Sequence, residues 1–353
     1  MKNIIARLVT LSLIALVSAC SAQAANDSSS SPKDSSSLTS SSSSNTSTSS
    51  ASGESLFRGN ELSTQSGLLV KFKENGATIE SIKWNGTTIA TDGFTVGRVA
   101  NRIANGQFIL NGQTYNVPIN DRDSNSSLHG GTGSGMNSWR GPFATTNWTR
   151  EYKADTTSIT YSIEDADGHN GYPGKMNMSV KYSLSEAGEL SIEYTATSDK
   201  DTLCNPTNHV FFTINGNSSY NNVNLQINAT QYTPRISNSN KLPNGEIVSV
   251  TNTEFDYTSD RSFDSSKNYD DNLVLDGTGY RKVATMTGST LGMKLDVYTD
   301  RPGLQLYKEN NGKICLETQM LPDAINHDNF ESPILRAGET FYSKTTYCFS
   351  KIS

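Results

Sequence analysis

The segment Met176-Asn-Met-Ser-Val-Lys-Tyr-Ser-Leu184 alternates apolar and polar residues with a period of two. A turn signal at Glu186-Ala187-Gly188 follows it, and the alternation resumes at Leu190, Ile192 and Tyr194. In an extended chain this period puts the apolar side chains on one face. The segment therefore predicts two antiparallel strands that bury the same side of a sheet.

Further short strands surround this hairpin. Phe108 to Leu110 and Tyr115 to Ile119 flank Asn111-Gly112, the pair favoured in tight hairpin turns. No stretch shows a sustained helical period, and strands without intervening helices predict an antiparallel all-β sandwich or barrel. Other predicted strands are Val223 to Ile227, Leu295 to Tyr298, Leu304 to Tyr307 and Tyr342 to Phe349.

The first twenty residues have the pattern of a signal peptide. Two basic residues, Lys2 and Arg7, precede the apolar run Leu8 to Val17, which is too short to span a bilayer. The order Val17-Ser18-Ala19-Cys20 resembles a bacterial lipobox, in which cleavage precedes the cysteine and its thiol receives a lipid. We therefore expect residues 1–20 to be a lipoprotein signal peptide; the alternative is an ordinary secretory signal.

Lipidation at Cys20 would make the protein an exported lipoprotein held on a membrane by its acyl chains. The absence of Asp after Cys20 favours the outer membrane where the source has two membranes. Residues 21–53 are dominated by serine, which predicts a disordered tether. Residues 54–353 are then predicted to form one folded domain.

Charge and cysteine content exclude several classes of protein. The 353 residues carry a formal net charge of −6, which argues against a broad nucleic-acid-binding surface. Beyond Cys20, the sequence has Cys204, Cys315 and Cys348 without any CxxC spacing, so a zinc ribbon is not indicated. We expect all three to be small buried residues. The sequence leaves open whether the protein is a monomer or a dimer.

Candidate acid–base groups are few, because the sequence has four histidines. His209 lies in the predicted strand Thr207-Asn-His-Val-Phe-Phe212, and His129 lies in a glycine-rich turn. Glu317 interrupts the apolar strand Lys313 to Gln319. Period two places Glu317 either on a polar cleft or on a solvent face, and spacing alone does not decide between them.

Several motifs, in order along the chain, resemble those of the aldose 1-epimerase (galactose mutarotase) family. They cover nearly all of residues 60–350. They are Gly97-Arg-Val-Ala-Asn-Arg-Ile-Ala-Asn-Gly106, Ser127-Leu-His-Gly-Gly131, Asp167-Gly168 with Gly171-Tyr-Pro-Gly174, Thr207-Asn-His209, Leu316-Glu-Thr-Gln319, Pro322-Asp-Ala-Ile-Asn326 and Pro333-Ile-Leu-Arg-Ala-Gly-Glu-Thr340.

The resemblance implies a fold and a set of roles. The fold would be a large antiparallel β-sandwich, the galactose mutarotase-like supersandwich. Glu317 would be the general base that deprotonates the C1 hydroxyl, and His209 the general acid that protonates the ring oxygen. The residues implied to bind a free aldose such as glucose or galactose are Asn101, Arg102, His129 and Asp270.

This chemistry needs neither a metal nor an organic cofactor. A carboxylate is ionised at neutral pH and an imidazole can give and regain a proton. On these ordinary pKa values, the rate would rise with pH as the carboxylate ionises and fall as the imidazole loses its proton.

Three departures from the family pattern concern the sugar site. Asn268 and Asp271 stand where the family commonly has Gly and His, so either Asp270 or Asp271 could contact the sugar. The segment Thr132 to Ser138, before Trp139, lacks the usual Gly-Phe-Asp element. Substrate preference is therefore open.

Other functions remain as alternatives. The main one is a non-catalytic carbohydrate-binding protein on the same fold. A glycoside hydrolase would use Glu317 and Asp270 as its carboxylate pair. A relative acting on hexose 6-phosphates would meet its substrate inside the cell, which disagrees with a signal peptide. A metal site at His129, His209 and Asp270 would remove the free imidazole that the acid–base chemistry requires.

Overall fold

The computed structural model describes residues 59–151, 157–237 and 240–352. The predicted signal peptide, Cys20 and the tether lie outside these residues. The described part is built from β-strands, with one short helix, α1 (Pro142–Thr145), and three 3-10 segments. None of the described helices is both long and apolar enough to cross a membrane.

Strands follow one another through the described residues from Glu61 to Lys351. In chain order, the first twelve are β1 (Glu61–Ser63), β2 (Leu68–Lys73), β3 (Thr78–Trp84), β4 (Thr87–Val96), β5 (Arg102–Ala104), β6 (Gln107–Leu110), β7 (Gln113–Asn116), β8 (Ser126–Leu128), β9 (Thr149–Glu151), β10 (Ser158–Asp165), β11 (Met176–Leu184) and β12 (Glu189–Ser198). The others are β13 (Thr202–Leu203), β14 (Thr207–Phe212), β15 (Val223–Ile227), β16 (Gln231–Thr233), β17 (Val248–Ser249), β18 (Arg261–Ser262), β19 (Asp270–Val274), β20 (Arg281–Gly288), β21 (Met293–Thr299), β22 (Gly303–Glu309), β23 (Lys313–Gln319), β24 (Ile334–Leu335) and β25 (Thr340–Lys351).

Two large antiparallel sheets form the body of the protein. One has ten strands in the order β1-β2-β3-β4-β14-β23-β22-β19-β16-β17, and the other has nine in the order β18-β15-β20-β21-β25-β12-β11-β10-β9. Their inner faces share one apolar core. Across it, the Phe72 and Tyr182 rings lie 4.9 Å apart, and Tyr182 Oη donates a hydrogen bond to the carbonyl of Ala77 at 2.6 Å. The expected β-sandwich is confirmed.

The hairpin β11–β12 follows the alternation of its sequence. Leu184 pairs with Leu190 at the turn, and the buried residues of both strands face the core. Val180, Tyr182 and Ile192 are fully buried. Each such side chain contributes about 1.5–3 kcal/mol to folding through the hydrophobic effect, which explains why this pattern predicts the fold so directly.

The second hairpin is confirmed at its turn and shorter than expected in its second strand. Leu110 pairs with Gln113, and both Asn111 and Gly112 have positive φ, as a type I′ turn requires. Strand β7 ends at Asn116, before Pro118, whereas the sequence suggested continuation to Ile119. Proline has no backbone N–H to donate to a neighbouring strand, which accounts for the earlier end.

Four adjacent strands of the ten-stranded sheet carry the candidate residues. In β14, β23, β22 and β19, alternate residues such as Phe212, Leu316 and Leu306 face the shared core. The residues between them point to the opposite face of the sheet, where His209 and Glu317 meet residues of the segment from Asn101 to Trp139. Glu317 is 2% exposed, so its strand face is a buried polar surface rather than a solvent face.

The three cysteines among the described residues are buried, as expected, and form no disulfide with one another. Burial raises the pKa of the Cys204 thiol to about 12 and that of Cys315 well above its usual value. Both thiols are therefore neutral at physiological pH.

Candidate active site

A pocket of about 170 Å³ lies on the outer face of β14, β23, β22 and β19. It contains every residue that the sequence resemblance implicated in acid–base chemistry or sugar binding. Its lining residues are Asn101, Arg102, Leu128, His129, Trp139, His209, Lys241, Asp270, Tyr307 and Glu317.

Glu317 and His209 form the floor of this pocket. They lie on the paired strands β23 and β14, and Glu317 Oε1 is 3.5 Å from His209 Nε2. Both side chains are almost fully buried. The second carboxyl oxygen of Glu317, Oε2, has no hydrogen-bond partner among the described residues. An unpartnered buried carboxyl oxygen is costly, and a hydroxyl group of a bound molecule would supply the missing donor.

Burial shifts the pKa values of this pair away from their solution values. It raises the pKa of Glu317 well above its usual range, and the nearby negative charge of Asp270 adds to the effect. Burial also lowers the pKa of His209 to about 4, against a smaller opposing effect of its own backbone carbonyl. Burial therefore favours the neutral forms of both groups, the carboxylic acid of Glu317 and the uncharged imidazole of His209.

His129 enters the pocket from the turn that follows β8. Its backbone N–H donates to the carbonyl of Asn101 at 2.8 Å, and the Asn101 N–H donates to His129 Nδ1 at 3.3 Å. Burial and the positive charges around it hold the pKa of His129 well below its usual value. Because Nδ1 accepts a hydrogen bond in this neutral ring, the ring proton is on Nε2 and can be donated to a ligand.

The turn at His129 requires a glycine next to it. Gly130 has φ of +86°, and a Cβ atom there would lie 2.1 Å from the carbonyl oxygen of Gly97. The glycine of this turn therefore allows a close backbone approach that a side chain would prevent.

Asp270 is held at the pocket wall by three donors. Lys241 Nζ lies 2.6 Å and Arg102 Nη2 3.6 Å from Asp270 Oδ2, and Gln305 Nε2 donates to Oδ1 at 2.8 Å. Burial alone would raise the pKa of Asp270, but the two cations bring it below its usual value. Asp270 is therefore an anion that can accept hydrogen bonds from hydroxyl groups.

Asp271 points to the other face of β19 and does not line this pocket. It pairs with Arg235 at 2.6 Å, and burial raises its pKa to about 6. Adjacent residues of a strand face opposite sides, so only Asp270 of the two acids reaches the candidate site.

Four residues around the pocket did not emerge from sequence reasoning. Trp139 and Tyr307 place their rings 6.3 Å and 5.8 Å from the ring of His209. Gln305 could have been found as an isolated amide between Leu304 and Leu306. Lys241 belongs to a connection without any repeating pattern, and nothing in the sequence distinguishes it from a surface lysine.

A buried arginine connects distant segments of the chain. Arg98 is 1% exposed, and its Nε donates to Asp165 Oδ2 at 2.6 Å. The remaining guanidinium N–H groups donate to Thr202 Oγ1 and to the backbone carbonyls of Asp165, Ala166, Pro173 and Gly174. The Arg98 side chain thus joins the motif Gly97 to Gly106 to the motif Gly171 to Gly174.

The other two histidines lie elsewhere. His169 contacts Asp165, and His327 lies 3.5 Å from Asp323. Within the ranges that the structure describes, no group of three or more His, Cys, Asp or Glu side chains is arranged to hold a metal ion.

Known proteins resemble this chain in sequence. The sequence model of the aldose 1-epimerase family matches residues 60–348. The chain is 33% identical to galactose mutarotase of Homo sapiens over 283 residues, which covers 73% of this chain and 78% of that protein. It is 31% identical to aldose 1-epimerase of Haemophilus influenzae over 286 residues, with coverage of 73% and 80%.

Solved structures agree on the fold. The GalM/aldose epimerase homologue from C. elegans superposes with a TM-score of 0.73 at 24% identity, over 83% of this chain and 98% of that one. Galactose 1-epimerase from Lactobacillus acidophilus gives a TM-score of 0.70 at 24% identity, over 82% and 93%. The family match over most of the folded region and the close curated relatives establish that this chain belongs to the aldose 1-epimerase family.

Proposed function

We propose that this protein interconverts the α and β anomers of a free aldose, with Glu317 as general base and His209 as general acid. The observation that carries the proposal is the arrangement of this pair on the pocket floor. Glu317 has one oxygen near His209 Nε2 and a second oxygen without a partner among the described residues. A sugar placed there would offer its C1 hydroxyl to the carboxylate and its ring oxygen to the imidazole.

Ring opening then requires two proton transfers. Glu317 removes the proton of the C1 hydroxyl while His209 Nε2–H donates its proton to the ring oxygen. The bond from C1 to the ring oxygen breaks, and the C1–O1 bond becomes a carbonyl. The C1–C2 bond rotates, and the reverse transfers close the ring on the other face of the aldehyde.

The pair carries one proton throughout this cycle. It begins as a carboxylate beside an imidazolium and becomes a carboxylic acid beside a neutral imidazole when the ring opens. Burial disfavours both charges of the first state, as the pKa shifts of Glu317 and His209 indicate. The site therefore favours the protonation state that accompanies the open-chain aldehyde over the charged pair from which ring opening starts.

Other residues of the pocket suit a sugar. Asp270 accepts hydrogen bonds from hydroxyl groups, while Arg102 and the Nε2–H of His129 donate them. Asn101 fixes both donors, since its side-chain oxygen accepts from Arg102 Nη1 at 3.3 Å and its N–H binds His129. Trp139 is 40% exposed at the wall and offers an apolar surface to a sugar ring.

Polarimetry on freshly dissolved α-galactose, α-glucose and α-xylose tests the proposal. Galactose comes first because several relatives are named galactose mutarotase. Catalysis should speed the decay to the equilibrium rotation in proportion to protein concentration. A non-catalytic carbohydrate-binding protein would instead bind the sugar, measured by calorimetry, and leave the decay rate unchanged.

The pH dependence of kcat/KM is expected to be bell-shaped. The acidic limb belongs to His209 and the basic limb to Glu317, which is the reverse of the assignment from ordinary pKa values. A second proton enters the pair on His209, so activity should be lost below about pH 4. The pair loses its only proton from Glu317, whose raised pKa places the other limb well above the usual carboxyl range. These values belong to the coupled pair rather than to either group alone.

Initial rates across pH, corrected for the uncatalysed reaction in the same buffer, measure this profile. An acidic limb near pH 6.5 would show that His209 keeps the pKa of an exposed imidazole and would contradict the shift derived from burial.

We also propose that the protein is an exported lipoprotein, anchored in a membrane through a lipid on Cys20. The support is the order Val17-Ser18-Ala19-Cys20, followed by the Ser-rich residues 21–53. An outer-membrane location is proposed where the source has two membranes. Acyl chains would hold the protein, while residues 21–53 would separate the folded domain from the lipid surface.

Changing Cys20 to Ser is expected to prevent lipidation and to remove the protein from the membrane fraction, because the thiol is the acceptor of the lipid. Intact-mass analysis of detergent-extracted protein checks this expectation. A mature chain that begins elsewhere than Cys20 and carries no acyl mass would refute the anchor. Mutarotase activity of the extracted protein serves as the control for folding.

A further inference from the structure

Cys315 lies directly against the proposed general acid. It is fully buried on the same face of β23 as Glu317, and its Sγ is 3.5 Å from His209 Nδ1, within hydrogen-bond distance for sulfur. The other ring nitrogen, Nε2, faces Glu317 at the same distance. The side chains next to the two nitrogens of His209 therefore differ, since one is a thiol and the other is a carboxyl group.

The aromatic neighbours of His209 do not distinguish its two ring nitrogens. Phe94 stacks on the imidazole at 4.9 Å with an angle of 18° between the planes, and Phe211 lies 4.7 Å away. Tyr307 meets the ring edge-on at 5.8 Å. These contacts fix the plane and the position of the ring, but an apolar face interacts similarly with both neutral tautomers.

We propose that Cys315 is a positioning residue that selects the tautomer of His209: its sulfur accepts the Nδ1–H, so that Nε2 is the nitrogen that exchanges a proton with the sugar ring oxygen. This inference rests on the proposed function. In the imidazolium form, both nitrogens carry protons. After Nε2 has given its proton to the ring oxygen, the proton on Nδ1 remains on the sulfur side.

The consequence for the cycle is that Nε2 then has a free lone pair directed into the pocket. Ring closure returns the proton to that lone pair, and the starting state is restored. The other neutral tautomer would carry its proton on Nε2 and could not accept one there. A fixed partner for Nδ1 therefore keeps the acid ready for the second half of the reaction.

A thiol suits this task better than a carboxylate would. A carboxylate beside Nδ1 would stabilise the imidazolium and raise the pKa of His209. The Cys315 thiol stays neutral because burial, together with the adjacent Glu317, holds its pKa well above the usual value. A neutral, weak acceptor orients the ring without adding charge, which agrees with the low pKa of His209.

The test compares the Cys315→Ala variant with the unsubstituted protein, both as full-length chains. We expect kcat to fall about tenfold, the size of effect expected for one hydrogen bond, with KM changed less than about twofold. In protein labelled with ¹⁵N-histidine, the His209 resonances should shift from the Nδ1–H form toward the Nε2–H form. The His209 resonances can be identified because the chain has only four histidines and these resonances are missing from the spectrum of His209→Asn.

Two further variants separate positioning from general packing. Cys204→Ala truncates another buried cysteine of the core that does not line the pocket, and it should leave kcat and the His209 resonances unchanged. Cys315→Ser restores a neutral hydrogen-bonding group and should recover most of the lost kcat together with the Nδ1–H form.

An active, folded Cys315→Ala protein with an unchanged tautomer and unchanged kcat would overturn the positioning role. Equal losses in Cys315→Ala and Cys315→Ser would overturn it as well, since packing alone would then explain the effect. Failure of the unsubstituted protein to catalyse mutarotation would instead overturn the proposed function. The resonance measurement needs no substrate, so the two failures are distinguishable.

Discussion

Replacing Glu317 with glutamine should slow catalysed mutarotation by at least about 10²-fold, as expected for the loss of an acid–base group. Glutamine keeps the size of the side chain and can still form hydrogen bonds, but it cannot take the proton of the C1 hydroxyl. Stopped-flow polarimetry measures the change, with the uncatalysed rate subtracted because free sugars mutarotate slowly in water.

The matched variant is His209→Asn, which removes the acid with little loss of volume, and a loss of similar size is expected. The double variant should be little slower than either single variant, because a proton-transfer pair acts as a unit. Sugar affinity should change far less, since Arg102, His129 and Asp270 remain in place. Near-native turnover by a folded Glu317→Gln protein would show that another group is the base, and Asp270 is the acid that reaches the pocket.

The second large effect is expected in stability rather than in chemistry. Changing Arg98 to Met should lower the free energy of unfolding by about 3–5 kcal/mol, the range for breaking a buried ion pair by removing one partner. The substitution leaves the Asp165 carboxylate buried without its cation. It also leaves the backbone carbonyls of Ala166, Pro173 and Gly174 without the donor they share.

Urea unfolding followed by fluorescence measures this loss. Changing Lys71, which forms a partly exposed pair with Glu61, to Met is the control and should have little effect. Asp165→Asn in the Arg98→Met background should recover part of the stability, because the uncompensated charge is removed. If Arg98→Met unfolds at the same urea concentration as the unsubstituted protein, the arginine is dispensable to the fold.

Sequence periodicity predicted the strands of the sandwich where burial on one face is strict. In β11 and β12 the pattern of burial repeats the pattern of apolar residues, so bounds and pairing follow from the sequence. At Val117 to Ile119 the apolar residues belong to no strand. Val117 instead packs into a small separate core with Phe108 and Tyr172. The period-two alternation of apolar and polar residues cannot distinguish this packing from that of a strand.

Local sequence patterns alone predicted less of the site. The roles assigned to Glu317 and His209 came from resemblance to a family, and the structure adds that both are buried within one pocket. Gln305 was missed because it reaches Asp270 only through the pairing of β22 with β19, and Lys241 because it reaches Asp270 from a connection without a repeating pattern. The reversed pKa assignment was also beyond sequence reasoning, since it depends on how deeply each group lies in the protein.

The position of β25 has a consequence for how the molecule is made. This strand, the last among the described residues, pairs with β12 on one side and β21 on the other, near the middle of the nine-stranded sheet. Until it is synthesised, the two halves of that sheet have no common neighbour. Contacts between residues so distant in sequence form slowly. A chain in which this strand has not yet paired exposes the edges of β12 and β21, and we expect it to aggregate more readily until residues 340–351 are in place.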